Sequence, residues 1–500
     1  MKSNFLWASS LALGLGALTC YADDPATVEK LQQQLQQMQE NFNRTVREQQ
    51  TQIEALKKQL DQIQRKESIQ PKGTIPSSPP SVAVPSAPAS GSETKPWSPT
   101  DPIRVGGRSA YVDLSMVGTF AAGTSTAHDI EGGTQMGGHD PNQRGFTTQG
   151  VELNLQGAVD PYFRGNANIL FQLDSGGESF VELEEAWLET VSLPANLQLR
   201  AGQYLTEFGR LNTQHPHSWG FVDAPLVNGR LLGEDGVRNP GIRLSWLVPT
   251  PFYSELFVGV QNSQGGTSDS FRSDHAGEPF LGRIWEERGV GSLGDMLYST
   301  RYAMSFDLSD TQTLLGGVSA IFGPNSTGGN TDTQIYGADV YWKWKPATAH
   351  AGFPFVSWQT EAILRRLQAG AFRNDFNGSG TLDAGEDVFG DGLIHTAPRE
   401  GLTNWGLYSQ LLYGFREGWV GGLRGDYVGR TRRASYELAY GDDSDRLSRW
   451  RISPNLTWYP SEFSKIRLQY NYDDRDKIGV DHSVWLQFEL LLGAHAAHKF

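Results

Sequence analysis

Between residues 449 and 458 the side chains fall into two sets by parity: Arg449, Arg451, Asn455 and Thr457 on one, Trp450, Ile452, Leu456 and Trp458 on the other. A period of two belongs to an extended strand that separates two environments. The division recurs along the chain. Ile466, Leu468, Tyr470 and Tyr472 oppose Lys465, Arg467, Gln469 and Asn471. Tyr336, Ala338, Val340, Trp342 and Trp344 oppose Asp339, Tyr341 and Lys343, and Ile242, Leu244, Trp246 and Val248 oppose Arg243 and Ser245. The last such stretch sets Val484, Leu486, Phe488, Leu490 and Leu492 against Gln487 and Glu489, and the chain ends on Phe500.

Sixteen strand candidates can be marked, near 105–120, 148–159, 163–174, 180–191, 196–205, 240–248, 252–261, 298–308, 311–322, 333–344, 355–370, 403–414, 418–429, 447–459, 463–473 and 483–492. Their connections alternate in length. Links at Asp160-Pro161, Pro194, 249–251, Ser309-Asp310, Arg416-Glu417 and Pro460-Ser461, with a ten-residue link at 345–354, face longer segments at 121–147, 206–239, 262–297, 323–332, 371–402, 430–446 and 474–482, with a short loop at 175–179. Beyond the amino terminus no stretch approaches the ~20 continuous apolar residues of a membrane helix. Strands with one apolar face and connections sorted by length predict an all-β fold, a transmembrane antiparallel barrel over residues 103–500 in an outer membrane of Gram-negative type, with outer-membrane lipid around it.

The amino-terminal hundred residues read differently. Residues 1–22 carry Lys2, an apolar run from Phe5 to Leu18 and small residues before a cleavage point after Ala22, the pattern of a secretory signal peptide. A lipoprotein signal using Cys20, the one cysteine, is weakened by Thr19 before it. Within 23–70, apolar residues from Val28 to Ile63 follow three-and-four spacing, as in an α-helical coiled coil, with a stutter at Met38, Phe42 and Val46. Such a stripe needs a partner helix, and a homotrimer is the first expectation, with peptidoglycan contact in the periplasm a further one. Residues 71–102, with eight prolines from Pro71 to Pro99 among Ser, Ala and Gly, read as a linker. A formal charge of −14 makes nucleic acid an improbable partner.

A charge facing lipid at mid-bilayer costs about 2–4 kcal/mol, so the charged parity must face inward. The pore-lining candidates are Arg243, Arg301, Arg365, Arg424, Arg449, Arg451, Lys465 and Arg467, around a water-filled interior that also carries acids. Their cluster favours anions locally, or it pairs with neighbouring acids and holds the wall. One stretch breaks the alternation: Glu184 and Glu185 are adjacent, so one acid faces lipid unless a bulge intervenes.

The run from Val181 to Glu189 (Val-Glu-Leu-Glu-Glu-Ala-Trp-Leu-Glu), followed by Leu199 to Tyr204 (Leu-Arg-Ala-Gly-Gln-Tyr) and Glu207-Phe-Gly-Arg210, resembles the phosphate-selective porin family. The resemblance covers roughly residues 148–262 and implies a trimeric, sixteen-stranded outer-membrane channel. That family draws its anion selectivity from lysines and arginines on strands and infolded loops. Here 121–147, 206–239 and 262–297 contain no lysine, so phosphate selectivity does not follow from the resemblance.

Asp375, Asn377, Ser379, Thr381, Asp383 and Glu386 stand at positions 1, 3, 5, 7, 9 and 12 of a calcium loop, with Gly380 at the turn. This spacing predicts structural Ca2+ in loop 375–386. The pair His215 and His217, and the pair His495 and His498, lack the four ligands of a closed zinc site and read as polar histidines of undefined role. No nucleophile and base stand at hydrolase spacing, so an enzyme is not expected. The combined expectation is passive diffusion of small hydrophilic solutes or ions. The alternatives are a substrate-specific channel for anions or sugars, and an envelope tether acting through the coil.

Overall fold

The structure, a computed structural model, describes residues 103–107, 110–158, 160–383 and 385–493. The expected signal peptide, coiled coil and linker, together with His495, His498 and Phe500, lie outside the described residues.

A short strand β1 (Ile103–Gly106) precedes β2 (Tyr111–Ser125), β3 (Gly145–Ala158), β4 (Phe163–Leu173), β5 (Ser179–Thr190), β6 (Leu197–Leu205), β7 (Arg238–Leu247) and β8 (Tyr253–Asn262). Two-residue strands β9 (Pro279–Phe280) and β10 (Arg283–Ile284) pair within the next loop. The wall resumes with β11 (Met296–Ser309), β12 (Gln312–Pro324), β13 (Asp332–Trp344) and β14 (Phe355–Ala369). A second loop pair, β15 (Phe372–Arg373) and β16 (Thr396–Ala397), is followed by β17 (Glu400–Arg416), β18 (Trp419–Arg430), β19 (Arg449–Ser461), β20 (Ser464–Arg475) and β21 (Gly479–Leu492).

Each wall strand pairs antiparallel with the next, β8 with β11 and β14 with β17, and β21 returns to β2 through Met116↔Leu492 to Ser125↔Ser483. Sixteen strands therefore close into an antiparallel barrel with no free edge in the ring. Every expected strand is present, with two changes at the ends. The first begins at Tyr111 rather than 105, because Ile103–Gly106 forms its own strand. It lies on β2 beyond the point where β21 stops, held by the Arg104–Asp113 ion pair. The expected loop at 474–482 shrinks to three residues, because β20 and β21 stay paired out to Arg475↔Gly479.

The two parities face as their chemistry requires. In β19, Arg449, Arg451, Ser453, Asn455 and Thr457 are buried and the residues between them exposed. Outward aromatics form two girdles. Trp246, Trp342, Trp358, Trp419 and Trp458 lie near the short turns, and Tyr336, Trp405, Tyr427, Trp450 and Tyr472 near the long loops. Trp419 stacks on Trp458, and Trp450 packs on Tyr472, at ring separations of 5.8 and 5.1 Å. From Trp450 to Trp458 the strand advances about 26 Å at ~3.3 Å per residue, the scale of the ~25 Å apolar band of outer-membrane barrels. A closed hydrogen-bonded wall with such a belt is an outer-membrane barrel.

The Glu184-Glu185 conflict is resolved by a bulge. Asn168 pairs with Glu185 and Ile169 with Leu183, so Glu184 has no partner on β4. Both carboxylates are buried inside, and Leu183 and Leu188 stay outside.

Leu423 sits midway between Trp419 and Tyr427 on the outer face, paired with Leu411 and Pro454. Leu423→Arg is expected to destabilise the barrel in lipid vesicles by about 2–4 kcal/mol, read from denaturant unfolding by tryptophan fluorescence.

Candidate functional site: the loop across the lumen

The lumen contains protein. The segment between β6 and β7, residues 206–237, is closed at its neck, where Thr206 N donates to Val237 O at 2.9 Å. From there it crosses the barrel. Arg210 N and Leu211 N donate to Glu361 Oε1 of β14 at 3.1 and 2.8 Å. Phe208 lies so close to Gly337 of β13 that a Cβ there would come within 2.6 Å of its ring. On the far side Asn455 Nδ2 of β19 donates to Gly220 O, and Lys465 and Arg467 of β20 donate to the carbonyls of His217 and Trp219.

At the loop's centre Asp223, fully buried, meets four wall side chains. Arg424 Nη2 and Gln469 Nε2 approach Oδ1 at 2.7 and 2.8 Å, and Arg451 Nη1 and Asn471 Nδ2 approach Oδ2 at 3.0 and 2.8 Å. Burial alone would raise the Asp223 pKa, but Arg424 and Arg451 outweigh it and hold the carboxyl below the usual carboxylate range. The wall also caps the helix that follows: Asp426 Oδ1 accepts from Leu226 N.

That helix, α1 (Leu226–Leu232), is why the loop turns inward. Leu226, Val227, Leu231 and Leu232 are buried against Phe208, Val237 and Phe271 and against inward-facing wall residues Leu297, Ile321, Ile335, Ile363, Tyr408 and Val428. The lumen near the long loops is thus an apolar core rather than the water-filled interior that the charged parity suggested. The inward apolar positions had a sequence signal: Ile335 shares parity with Asp339, and Ile363 with Glu361 and Arg365. Loop 126–144 joins from the other side, with Ile130 packed on Val222 and Trp485, and Gly133 and Thr134 carbonyls accepting from Arg449.

The eight expected pore-lining cations all project into this interior, and each has partners there. Arg243 pairs with Glu189 and Glu207, Arg301 with Asp339, and Arg424 with Asp223 and Asp426. Arg449 pairs with Asp473, Arg451 with Asp473 and Asp223, and Lys465 with Glu489 at 2.8 Å. Arg365 donates to Ser270 Oγ, and Arg467 to Thr457 and Gln487. Sequence reading missed Asp223 and Asp473, the acids that gather three of these arginines. Asp223 sits in a loop without periodicity, where no parity argument reaches it.

Beyond β21 and β2, which follow the arginine strands β18–β20 around the ring, the loop meets acids of β3 and β5. His215 and His217 lie among Glu152, Glu184 and Glu185, and His139 beside Glu184. Burial opposes charge on His139, but Glu184, Asp235 and Glu182 outweigh it and raise its pKa to about 9. His215 is also raised, by Glu152, Glu184 and Glu185 against its burial. The loop thus meets acids of β3 and β5 through its histidines and arginines of β18 and β19 through Asp223. Two cavities beside the loop measure about 20 and 40 Å³, room for single waters.

The expected calcium-loop residues lie together between β15 and β16. Asp375 Oδ1 and Oδ2 accept from Ser379 N and Gly380 N at 2.9 and 3.0 Å. Glu386 accepts from Phe376 N and Asp383 N, Asn377 Nδ2 donates to Asp383, and Ser379 Oγ donates to Thr381 O. Arg373 occupies Asp375 Oδ2 at 2.6 Å.

Removing one member of a buried charge cluster strands the others, at a typical cost of about 3–5 kcal/mol. Asp223→Ala is therefore expected to lower barrel stability by that order in urea titrations and to expose loop 206–237 to trypsin at Arg210 and Arg230. Unchanged cleavage would mean that Asp223 does not hold the loop.

No family model matches the chain. Among solved structures, the outer membrane channel DcaP of Acinetobacter baumannii aligns at 12% identity over 77% of this chain and 98% of its own, with a TM-score of 0.49. The outer-membrane protein OmpT of Vibrio cholerae aligns at 8% identity over 78% and 99%, with a TM-score of 0.43. OmpF of Salmonella typhi, in complex with daunomycin, aligns at 12% over 78% and 100%, with a TM-score of 0.42. An uncharacterized protein of Aquifex aeolicus (strain VF5) is 30% identical over 386 residues, 73% of each chain, and the present chain belongs to the same family as that protein.

Proposed function

We propose that the protein is a porin-like outer-membrane channel for passive diffusion of small hydrophilic solutes or ions, in which loop 206–237 sets the limiting aperture. The observation that carries this reading is the Asp223 anchor, which ties a loop crossing the lumen to Arg424 and Arg451 of the wall. A loop held by buried charge is a fixed constriction. A channel specific for anions would use arginines free to take the solute, and Arg301, Arg424, Arg449 and Arg451 of the wall are engaged with acids. The engaged state supports the unselective reading.

Planar-bilayer recording tests it. The native protein is expected to show small conductance with a reversal potential near zero in a salt gradient, and deletion of 213–234 to raise conductance severalfold. No conductance from either form would refute the channel.

Residues 23–70 supply the remaining part of the proposal. Their apolar stripe supports homotrimerisation in the periplasm, and a peptidoglycan contact through the same segment would add a tethering role. Deleting 23–70 is expected to weaken the trimer on native gels, and an unchanged trimer would leave tethering as the segment's purpose.

Calcium in loop 375–386 is a further element of this reading. The loop's hydrogen bonds already bring Asp375 and Glu386 onto the same turn, and binding requires the ion to displace Arg373 from Asp375. Calcium at millimolar levels is expected to protect residues 371–402 from protease, and Asp375→Ala to abolish that protection. Equal resistance of parent and variant, with and without calcium, would contradict it.

A further inference from the structure

The bulge in β5 brings two carboxylates to one histidine of the inserted loop. One oxygen each of Glu152 and Glu184 and one ring nitrogen of His215 lie within 4.8 Å of one another. His215 Nδ1 is 3.5 Å from Glu152 Oε1 and 3.4 Å from Glu184 Oε2. Zinc bonds of ~2.0–2.1 Å in tetrahedral geometry set neighbouring donors roughly 3.3–3.4 Å apart. The spacing is that of two edges sharing the imidazole nitrogen.

A second observation points to a ligand. Glu152 and Glu184 are 6% and 3% exposed, and the oxygens that face His215 Nδ1, Glu152 Oε1 and Glu184 Oε2, have no polar partner other than that ring. Buried carboxylate oxygens are rarely left so. Their companion oxygens are supported. Glu152 Oε2 lies 3.0 Å from His217 Nδ1, and Glu184 Oε1 lies 3.3 Å from His139 Nε2. The far nitrogen of His215, Nε2, lies 3.2 Å from Glu185 Oε2. A carboxylate on the far nitrogen fixes the tautomer that presents Nδ1 as a donor to metal. Asn168 Nδ2 is 2.7 Å from the same nitrogen while its Oδ1 accepts from Asn154 and Asn166, so this tautomer requires the Asn168 amide to turn and give up those two bonds.

We propose that Glu152, Glu184 and His215 bind a divalent transition-metal cation inside the barrel, with His217, His139 and Glu185 orienting the ligands and water as the fourth donor. The flanking cavities, lined by His139, Glu152 and His217 on one side and by His139, Glu184 and His215 on the other, admit that water. The ion joins β3 and β5 to loop 206–237, so it pins the loop at a second place besides Asp223. This role stands whether or not the barrel conducts.

The test uses the full-length protein, stripped with chelator and titrated with ZnCl2 by calorimetry, with excess calcium present to occupy 375–386. One zinc per chain is expected. Glu184→Gln and His215→Gln are each expected to weaken binding by at least about tenfold, while the His495→Gln/His498→Gln double variant binds as the parent does. Heat-modifiable migration on gels confirms that each variant forms the barrel. Zinc-edge absorption of the parent is expected to show an N/O shell with one imidazole, which decides the matter if a variant does not fold. Binding unchanged in Glu184→Gln or His215→Gln, a shell with two or more imidazoles, or parent affinity weaker than about 1 mM would each overturn the assignment.

Discussion

Asp223 sits in a loop, yet four wall side chains from β18, β19 and β20 converge on its two oxygens. Charge buried to this depth is tolerated only with a complete set of partners. The wall arginines have the same need. Arg424 also reaches Asp426, and Arg451 reaches Asp473, which in turn takes Arg449. Removing the loop would leave Arg424 and Arg451 with half their acids, and removing the arginines would leave Asp223 in a medium that cannot solvate it. Wall and loop are therefore parts of one electrostatic unit.

The apolar helix α1 complements this anchor. Its leucines have no lipid or water-facing role; they fill the lumen against Ile321, Ile335 and Ile363 from the wall. Burying such side chains is worth roughly 1.5–3 kcal/mol each before ordering costs, so apolar packing supplies attraction while Asp223 fixes position. The histidines at 215 and 217 complete the crossing by meeting the carboxylates of β3 and β5. Along its path the loop thus sets His215 and His217 on wall acids, then Asp223 on wall arginines, then α1 in the apolar core. A segment satisfied in this order has one way to lie across the barrel.

Strand existence and facing were legible because lipid on one side forces a period of two. Trp450 against Arg451, or Phe488 against Glu489, leaves no ambiguity about which side is which. Even the irregularity at Glu184-Glu185 announced itself as a bulge, since no unbulged strand buries both acids on one face. The contents of the lumen were less legible. Parity says that Ile335 or Trp485 points inward but not what it meets, and the partners come from loops whose paths carry no period. Asp223 and the start of α1 have meaning only against residues some two hundred positions away, and His139 only against acids of other elements. For the same reason the arginine cluster could be placed from sequence while its ion pairing to loop acids could not.

The docked loop is the claim on which the rest depends, and its backbone reports it directly. Val222 N and Leu226 N donate to Gln469 Oε1 and Asp426 Oδ1 of the wall, at 2.8 and 3.2 Å. Hydrogen–deuterium exchange of the native protein in lipid nanodiscs, followed over peptides spanning 219–232, measures whether those bonds persist. Exchange as slow as in wall strands β18 and β19 is the predicted result. Exchange at the rate of an unprotected surface loop would contradict the account.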